Sequence, residues 1–352
     1  MSRHAHTTVP GLDLPRLQRF FDARVPEVTG TLHAELISGG RSNLTYRITD
    51  GSSHWVLRRP PLGGLTPSAH DMHREYHVVE ALRGSTVPVA RPVAYADDTS
   101  IIGAPFAVVE HVDGAVLRSR DDIARLSSTE LADISEALID VMVALHNIEP
   151  ESVGLAEFGR PDGYLRRQVA RWTDQWSRVA TEAVPDVDSL GQLLSEKCPR
   201  ESGHSIVHGD VRIDNAILDP VEHTTVRALI DWEMATLGDP LADLALHLVY
   251  RDQAFSPVLG GNAASTDPRM PPTDHLVQHY ALKSGRPVDQ LDFHLGLAYF
   301  KSAVIAAGIH ARHLAGHDAG SDFTSAGGAV PLLAASGLAA LSPPQSGSKA
   351  RG

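Results

Sequence analysis

Between His33 and Arg59, apolar and polar positions alternate in three short runs rich in β-branched and aromatic residues: His33 to Ile37, Leu44 to Thr49 and His54 to Arg59. Alternation with a period of two puts successive side chains on opposite faces and predicts strands. Turn-forming residues separate the runs. The first group is Ser38-Gly39-Gly40-Arg41-Ser42-Asn43; the second is Asp50-Gly51-Ser52-Ser53, whose Asp-Gly pair signals a hairpin. A helix is predicted over Ala69 to Leu82, then strands near Arg91 to Tyr95 and Pro105 to Glu110, and Asp113-Gly114 marks a boundary between lobes. After Asp121 the period changes. Leu131, Ile134, Leu138, Val141 and Leu145 recur at three- and four-residue spacing and predict a helix from Thr129 to Asn147. More helices are expected at Gly163 to Thr181 and Val187 to Lys197, a short β segment brackets Ile206 to Asp231, and helices resume at Pro240. Asp239 suits the N-cap of that last helix and Pro240 its first position. The pattern is that of an α+β chain. Residues 1–30 form an N-terminal extension with a helix, 31–110 a β-rich lobe, and 111–341 a mostly helical lobe beyond a hinge near Glu110. Residues 342–352, rich in Pro, Ser, Gly and Lys, read as a disordered tail.

A chain of 352 residues has room for two lobes, and 42% hydrophobic residues suit a soluble globular protein. The formal charge of −12 argues against nucleic acid or an anionic membrane surface as a partner. Cys198 is the only cysteine, so no intrachain disulfide exists; with a polar Met1 to Gly11 lacking a signal-peptide core, the expected compartment is the cytoplasm. No run approaches the roughly 18 apolar residues of a membrane span. The best candidate, Gly296 to Ala307, is interrupted by Lys301 and reads as a buried core helix.

The chemistry concentrates in Val207-His208-Gly209-Asp210-Val211-Arg212-Ile213-Asp214-Asn215, a polar loop between apolar runs. Sixteen residues past Asn215, after Val226 to Ile230, comes Asp231-Trp232-Glu233. Phosphoryl transfer to an alcohol needs a carboxylate to orient the hydroxyl and accept its proton, together with hard oxygen ligands for a magnesium ion on the phosphates. An Asp five residues before an Asn in one loop, and a second Asp at a strand end, can supply these groups. Asp214 reads as a turn former, while Arg212 suits either a phosphate contact or a pair with a neighbouring acid. Arg166, Arg167 and Arg171 make a basic turn that suits either a solvated face or an anionic acceptor such as CoA. His310, His313 and His317, and the pair His73 and His77, have helical spacing, but no cysteine or acidic ligand completes a zinc set in sequence.

His208-Gly209-Asp210, four residues, Asn215, and then Ile230-Asp231-Trp232-Glu233 resemble the aminoglycoside phosphotransferase/choline kinase family, which shares the protein-kinase-like bilobal fold. The resemblance implies that Asp210 is the catalytic base, that Asn215 and Asp231 ligate Mg²⁺, that His208 buttresses the loop and that Asp243 braces it. It also implies an ATP side. Ser38, Gly39, Gly40 and Asn43 would cover the phosphates; Arg58 would stand at the place of a strand lysine, paired with Glu75; Glu110 to Val112 would form the adenine hinge. Arg59 is the alternative if that strand is bulged. Arg58-Arg59-Pro60-Pro61, Pro67-Ser68-Ala69-His70, Arg74-Glu75-Tyr76, Ile102-Gly103-Ala104-Pro105-Phe106 and Gly238-Asp239-Pro240-Leu241-Ala242-Asp243 resemble a subgroup, the kinase-like domain fused in some proteins to an acyl-CoA dehydrogenase. This resemblance covers about Ile37 to Leu314 and leaves no room for a dehydrogenase domain. It implies a small-molecule alcohol as acceptor, plausibly a hydroxyacyl-CoA, and a link to acyl-CoA metabolism. The missing lysine keeps open a nucleotide-binding pseudokinase or scaffold. The family name alone raises a third reading, antibiotic phosphorylation.

Overall fold

The computed structural model describes residues 9–38, 43–62, 71–316 and 326–342. Gly39 and Gly40 of the glycine-rich turn, Pro67 to His70, His317 and nearly all of the expected tail lie outside them. The chain clusters into two compact units: Met1–Gly114 with Arg227–Ala235, and Ala115–Val226 with Thr236–Gly352.

The first unit is built on a five-stranded antiparallel sheet. Its strands are β1 (His33–Ser38), β2 (Leu44–Thr49), β3 (His54–Arg59), β4 (Pro92–Ala96) and β5 (Phe106–Glu110), in the order β1-β2-β3-β5-β4. The β2–β3 hairpin closes at Thr49 opposite His54. In its turn Asp50 Oδ1 accepts the Ser52 and Ser53 N–H groups at 2.9 and 2.7 Å, and Gly51 takes φ +95°, a conformation that favours glycine. Alternation sends Tyr46, Ile48, Trp55 and Leu57 inward against Leu17 and Phe21 of α1 (Leu14–Arg24). Arg59 shares that inward face and hydrogen-bonds the Ile102 carbonyl at 2.8 Å, which leaves Arg58 on the other face of the sheet. Helix α2 (Met72–Leu82) runs between β3 and β4, capped by Asp71. The returning segment Arg227–Ala235, which carries most of β8 (Val226–Leu229), is tied to this unit by Leu229 N–H to the Pro88 carbonyl at 2.8 Å and by Arg74 Nη2 to the Ala235 carbonyl at 3.1 Å.

The second unit is mainly helical. It contains α3 (Ser128–His146), α4 (Tyr164–Val179), α5 (Pro185–Glu196), α6 (Pro240–Val249), α7 (Thr273–Ser284), α8 (Leu291–Leu314) and α9 (Ala326–Ala340). A capping box starts α3: Ser127 accepts the Glu130 N–H while Glu130 reaches back to the Ser127 N–H. Helix α8 packs against α4, α5, α6 and α9, and its buried face runs from Leu291 through Phe300 to Ile309. Among these helices, β6 (Ser205–Val207) pairs antiparallel with β9 (Thr236–Gly238). Strand β7 (Ala216–Leu218) exchanges backbone hydrogen bonds with Ala115 at 2.9 and 2.8 Å. The polar loop of residues 208–215 is thereby anchored at both ends, by β6 before it and β7 after it. Among the described residues no helix is long and apolar enough to cross a membrane.

Candidate functional site

The loop after β6 is held by one buried carboxylate. Asp243 on α6 accepts the His208 N–H through Oδ2 and the Gly209 N–H through Oδ1, both at 2.6 Å. Two backbone donors on one carboxylate fix the turn, and Gly209 at φ +81° supplies the conformation that the turn requires. His146 Nε2 lies 3.3 Å from Asp243 Oδ2, and its Nδ1 lies 2.9 Å from the Tyr280 hydroxyl. Burial pushes the Asp243 carboxyl up, but His146, His208 and the backbone donor outweigh it, and the group stays ionised below its ordinary value. His208 is fully buried, and its Nδ1 accepts the Asp210 N–H at 3.2 Å.

These contacts present Asp210. Asn215 Nδ2 donates to both the Asp210 carbonyl, at 2.9 Å, and Asp210 Oδ2, at 2.8 Å. Arg212 Nε stands 3.5 Å from Asp210 Oδ1, and Arg212 Nη2 stands 3.0 Å from Asp214 Oδ2. The same guanidinium lies over the Tyr250 ring at 5.1 Å, and the Tyr250 hydroxyl bonds to Asp210. Burial raises the Asp210 carboxyl, while Arg212, Tyr250 and His208 together pull it below its usual range; Asp214, by contrast, is pushed up by burial and by Asp210. Two carboxylates share one arginine, and their titrations are pushed in opposite directions. Behind the loop, His247 Nδ1 donates to the Val211 carbonyl at 3.0 Å, and burial depresses its pKa to about 4.

The first unit brings together a second group. Arg58 Nη1 lies 2.5 Å from Glu75 Oε1, and Nη2 lies 2.9 Å from Asp231 Oδ1. Asn43 Nδ2 reaches Glu75 Oε2 and Glu233 Oε2, each at 3.4 Å. Burial, with Asp231 adding to it, pushes the Glu75 carboxyl up against the pull of Arg58. Asp231 itself is left-handed, at φ 69° and ψ 58°, an uncommon state for a residue with a side chain. Ser38 ends β1 opposite Thr45, just past a register shift. Glu110 ends β5 with its carboxylate 2.8 Å from Arg91 Nε, and Val112 follows half-buried.

Taken separately, Asn215 in the second unit and Asp231 in the first each offer donor chemistry that suits a magnesium ion. Both described hydrogen bonds of the Asn215 amide come from Nδ2 to Asp210, which leaves its carbonyl oxygen as the free end, and Arg58 engages only one oxygen of Asp231. Both free ends are hard oxygen donors of the kind Mg²⁺ prefers. Tyr250 at the end of α6 and Lys301 on α8 both bear on Asp210, and Trp172 on α4 meets Lys301; the sequence reading gave none of the three a place at the site. Only Lys301 left a trace, as the charge inside an apolar run. The His73 and His77 rings stack at 6.0 Å, and among the described residues no three His, Cys, Asp or Glu side chains gather as a metal site.

The family model described as the phosphotransferase enzyme family matches residues 33–273. A solved structure from Ralstonia eutropha, provisionally titled an aminoglycoside phosphotransferase, is 30% identical, with a TM-score of 0.79 over 93% of this chain and 98% of that one. The aminoglycoside phosphotransferase APH(4)-Ia, solved with ADP and hygromycin B, shares the fold at a TM-score of 0.61 and 16% identity, covering 92% of this chain and 98% of that one. Human acyl-CoA dehydrogenase family member 11 is 34% identical over 89% of this chain, and mouse acyl-CoA dehydrogenase family member 10 is 34% identical over 82%. The aligned parts are 40% and 27% of those two proteins, so this chain spans well under half the length of the curated relatives that it matches. With its small antiparallel sheet, larger helical portion and Asp210 loop, the chain belongs to the phosphotransferase enzyme family and has the kinase-like aminoglycoside phosphotransferase fold.

Proposed function

We propose that the chain transfers the γ-phosphoryl group of ATP, with Mg²⁺, to a hydroxyl of a small molecule, leaving ADP and a phosphate ester. The observation that carries this reading is an ionised Asp210, held by Arg212 and Tyr250 on a loop that also presents Asn215. In the reaction the acceptor oxygen bonds to the γ-phosphorus, the bond from phosphorus to the ADP oxygen breaks, and Asp210 takes the hydroxyl proton. Asn215 and Asp231 would hold Mg²⁺, which, when bound, neutralises charge on the phosphate oxygens. Arg58, oriented by Glu75, would contact phosphate; Ser38, Gly39, Gly40 and Asn43 would cover the nucleotide, and Glu110 to Val112 would receive adenine. The names of the curated relatives favour a hydroxyacyl-CoA or another endogenous alcohol as acceptor.

The test is incubation of the purified chain with Mg-ATP and a panel of hydroxylated metabolites, hydroxyacyl-CoAs included, scored by ADP release and by a mass gain of one phosphate. Asp210→Asn is expected to lose about 10²-fold or more of turnover while keeping the thermal shift given by Mg-ATP. Turnover by that variant at the parental rate overturns the base assignment. The second reading, a nucleotide-binding scaffold, is favoured by Arg58 standing in the lysine's place and engaging Asp231. Mg-ATP binding without ADP release on any acceptor would select it.

A further inference from the structure

Helix α8 is apolar around its middle, where Leu297, Ala298, Phe300, Ala303 and Val304 are buried, yet Lys301 sits among them. An ammonium taken out of water is costly unless a carboxylate meets it. Here none does: among the described residues Lys301 makes no ion pair, and its recorded contact is an aromatic one, with Nζ 5.7 Å from the Trp172 ring. Arg171 lies over the same indole, its guanidinium carbon also 5.7 Å from the ring. Two cations therefore meet one indole, which attracts each of them only modestly.

The charged groups facing Lys301 are Asp210 on the catalytic loop, Asp243 on α6 and Arg171 on α4, while α9 carries no ionisable side chain. Asp210 is already met by Arg212 and Tyr250, and Asp243 by two backbone N–H groups and His146. Burial, helped by Arg171, outweighs the pull of both carboxylates and brings the Lys301 pKa down to about 8. Among the described residues the molecule thus holds a half-buried cation facing Asp210 with no carboxylate in ion-pair contact with it.

We propose that Lys301, flanked by Arg171 and Trp172, is the acceptor's anion subsite: its ammonium binds an oxyanion carried by the same molecule whose hydroxyl faces Asp210. The inference rests on the phosphotransfer reading and sharpens it. The acceptor class becomes hydroxylated carboxylates or phosphate esters, and a polycationic acceptor meets repulsion at Lys301 and Arg171. Free hydroxy acids and CoA thioesters both carry such oxyanions, and they differ in the distance from hydroxyl to charge.

Calorimetric titration of the full chain with 3-hydroxy acids of four to ten carbons, their CoA thioesters, the matching neutral 1,3-diols and kanamycin separates the possibilities. At least one anionic probe is expected to bind ten-fold or more tightly than its diol. The tighter of free acid and thioester shows whether the oxyanion is a carboxylate or a CoA phosphate. Lys301→Met should weaken that probe by ten-fold or more, whereas Lys301→Arg should retain most of the affinity. Parental affinity should also fall as pH rises from 7 to 9 and the ammonium is lost, while Lys301→Arg, whose cation persists, stays flat. Equal binding of the anionic probe by Lys301→Met, a pH-independent parent, or a parent that takes no anionic probe would each overturn the proposal. Mg-ATP binding by the parent, measured in the same preparation, reports separately on the phosphotransfer reading.

Discussion

Arg58 answers two carboxylates from one side chain, through Glu75 Oε1 and Asp231 Oδ1. A planar fork does this through two separate nitrogens, whereas a lysine would have to meet both acids from one atom. Arg58→Met would leave Glu75 buried beside Asp231 with no cation, so a loss of about 3–5 kcal/mol is expected, read as a lower denaturation midpoint. Arg58→Lys should lose less, because it keeps a partner for Glu75. His247 gives a pH prediction. Its folded pKa of about 4 lies below the ordinary 6.5, so the unfolded chain binds the extra proton. The stability tied to its neutral form is complete above pH 6.5 and declines as pH falls towards 4, by about 3 kcal/mol in all. His247→Asn, which keeps a donor for the Val211 carbonyl, should flatten that window in denaturation midpoints measured from pH 7 to pH 4.5. The pairing of Asp210 with Asn215 was legible because the two lie five residues apart in one loop. Tyr250 and Lys301 were not, since each comes from a different helix and only tertiary packing brings it to bear on Asp210.

At the scale of elements, long periodic segments were the readable ones. Helix α3 runs from Ser128 to His146 against an expected Thr129 to Asn147, because a stripe of buried Leu and Ile at three- and four-residue spacing has one solution. The three-residue strands β6 and β9 carry too few positions to show any period, and β9 went unread. They nevertheless anchor the Asp210 loop, and one glycine permits their packing. A Cβ on Gly238 would stand 2.8 Å from the Tyr164 ring, so Gly238→Ala should displace β9 or that ring and lower both the unfolding temperature and turnover. Ser127→Ala removes half of the capping box on α3, far from the loop in sequence. Its expected cost is about 1 kcal/mol in stability, with turnover unchanged at temperatures where the protein stays folded.

For the molecule as a whole, the notable fact is that the first unit is made from two separate stretches of chain, ending at Gly114 and resuming at Arg227. Leu229 and Trp232, both almost wholly buried, and Asp231, the second partner of Arg58, all come from the returning stretch. A fragment of residues 1–114 should therefore show little amide-exchange protection in β3, and appending residues 227–235 through a flexible linker should restore it. Strong protection in the bare fragment would contradict this dependence. The same discontinuity sets a timetable on the ribosome. At synthesis rates of about 5–20 residues per second, the unit waits on the order of ten seconds for its last stretch of sequence. During that delay Arg58 and Glu75 are already translated but not yet enclosed, which makes the nascent β-rich portion the part most in need of a chaperone.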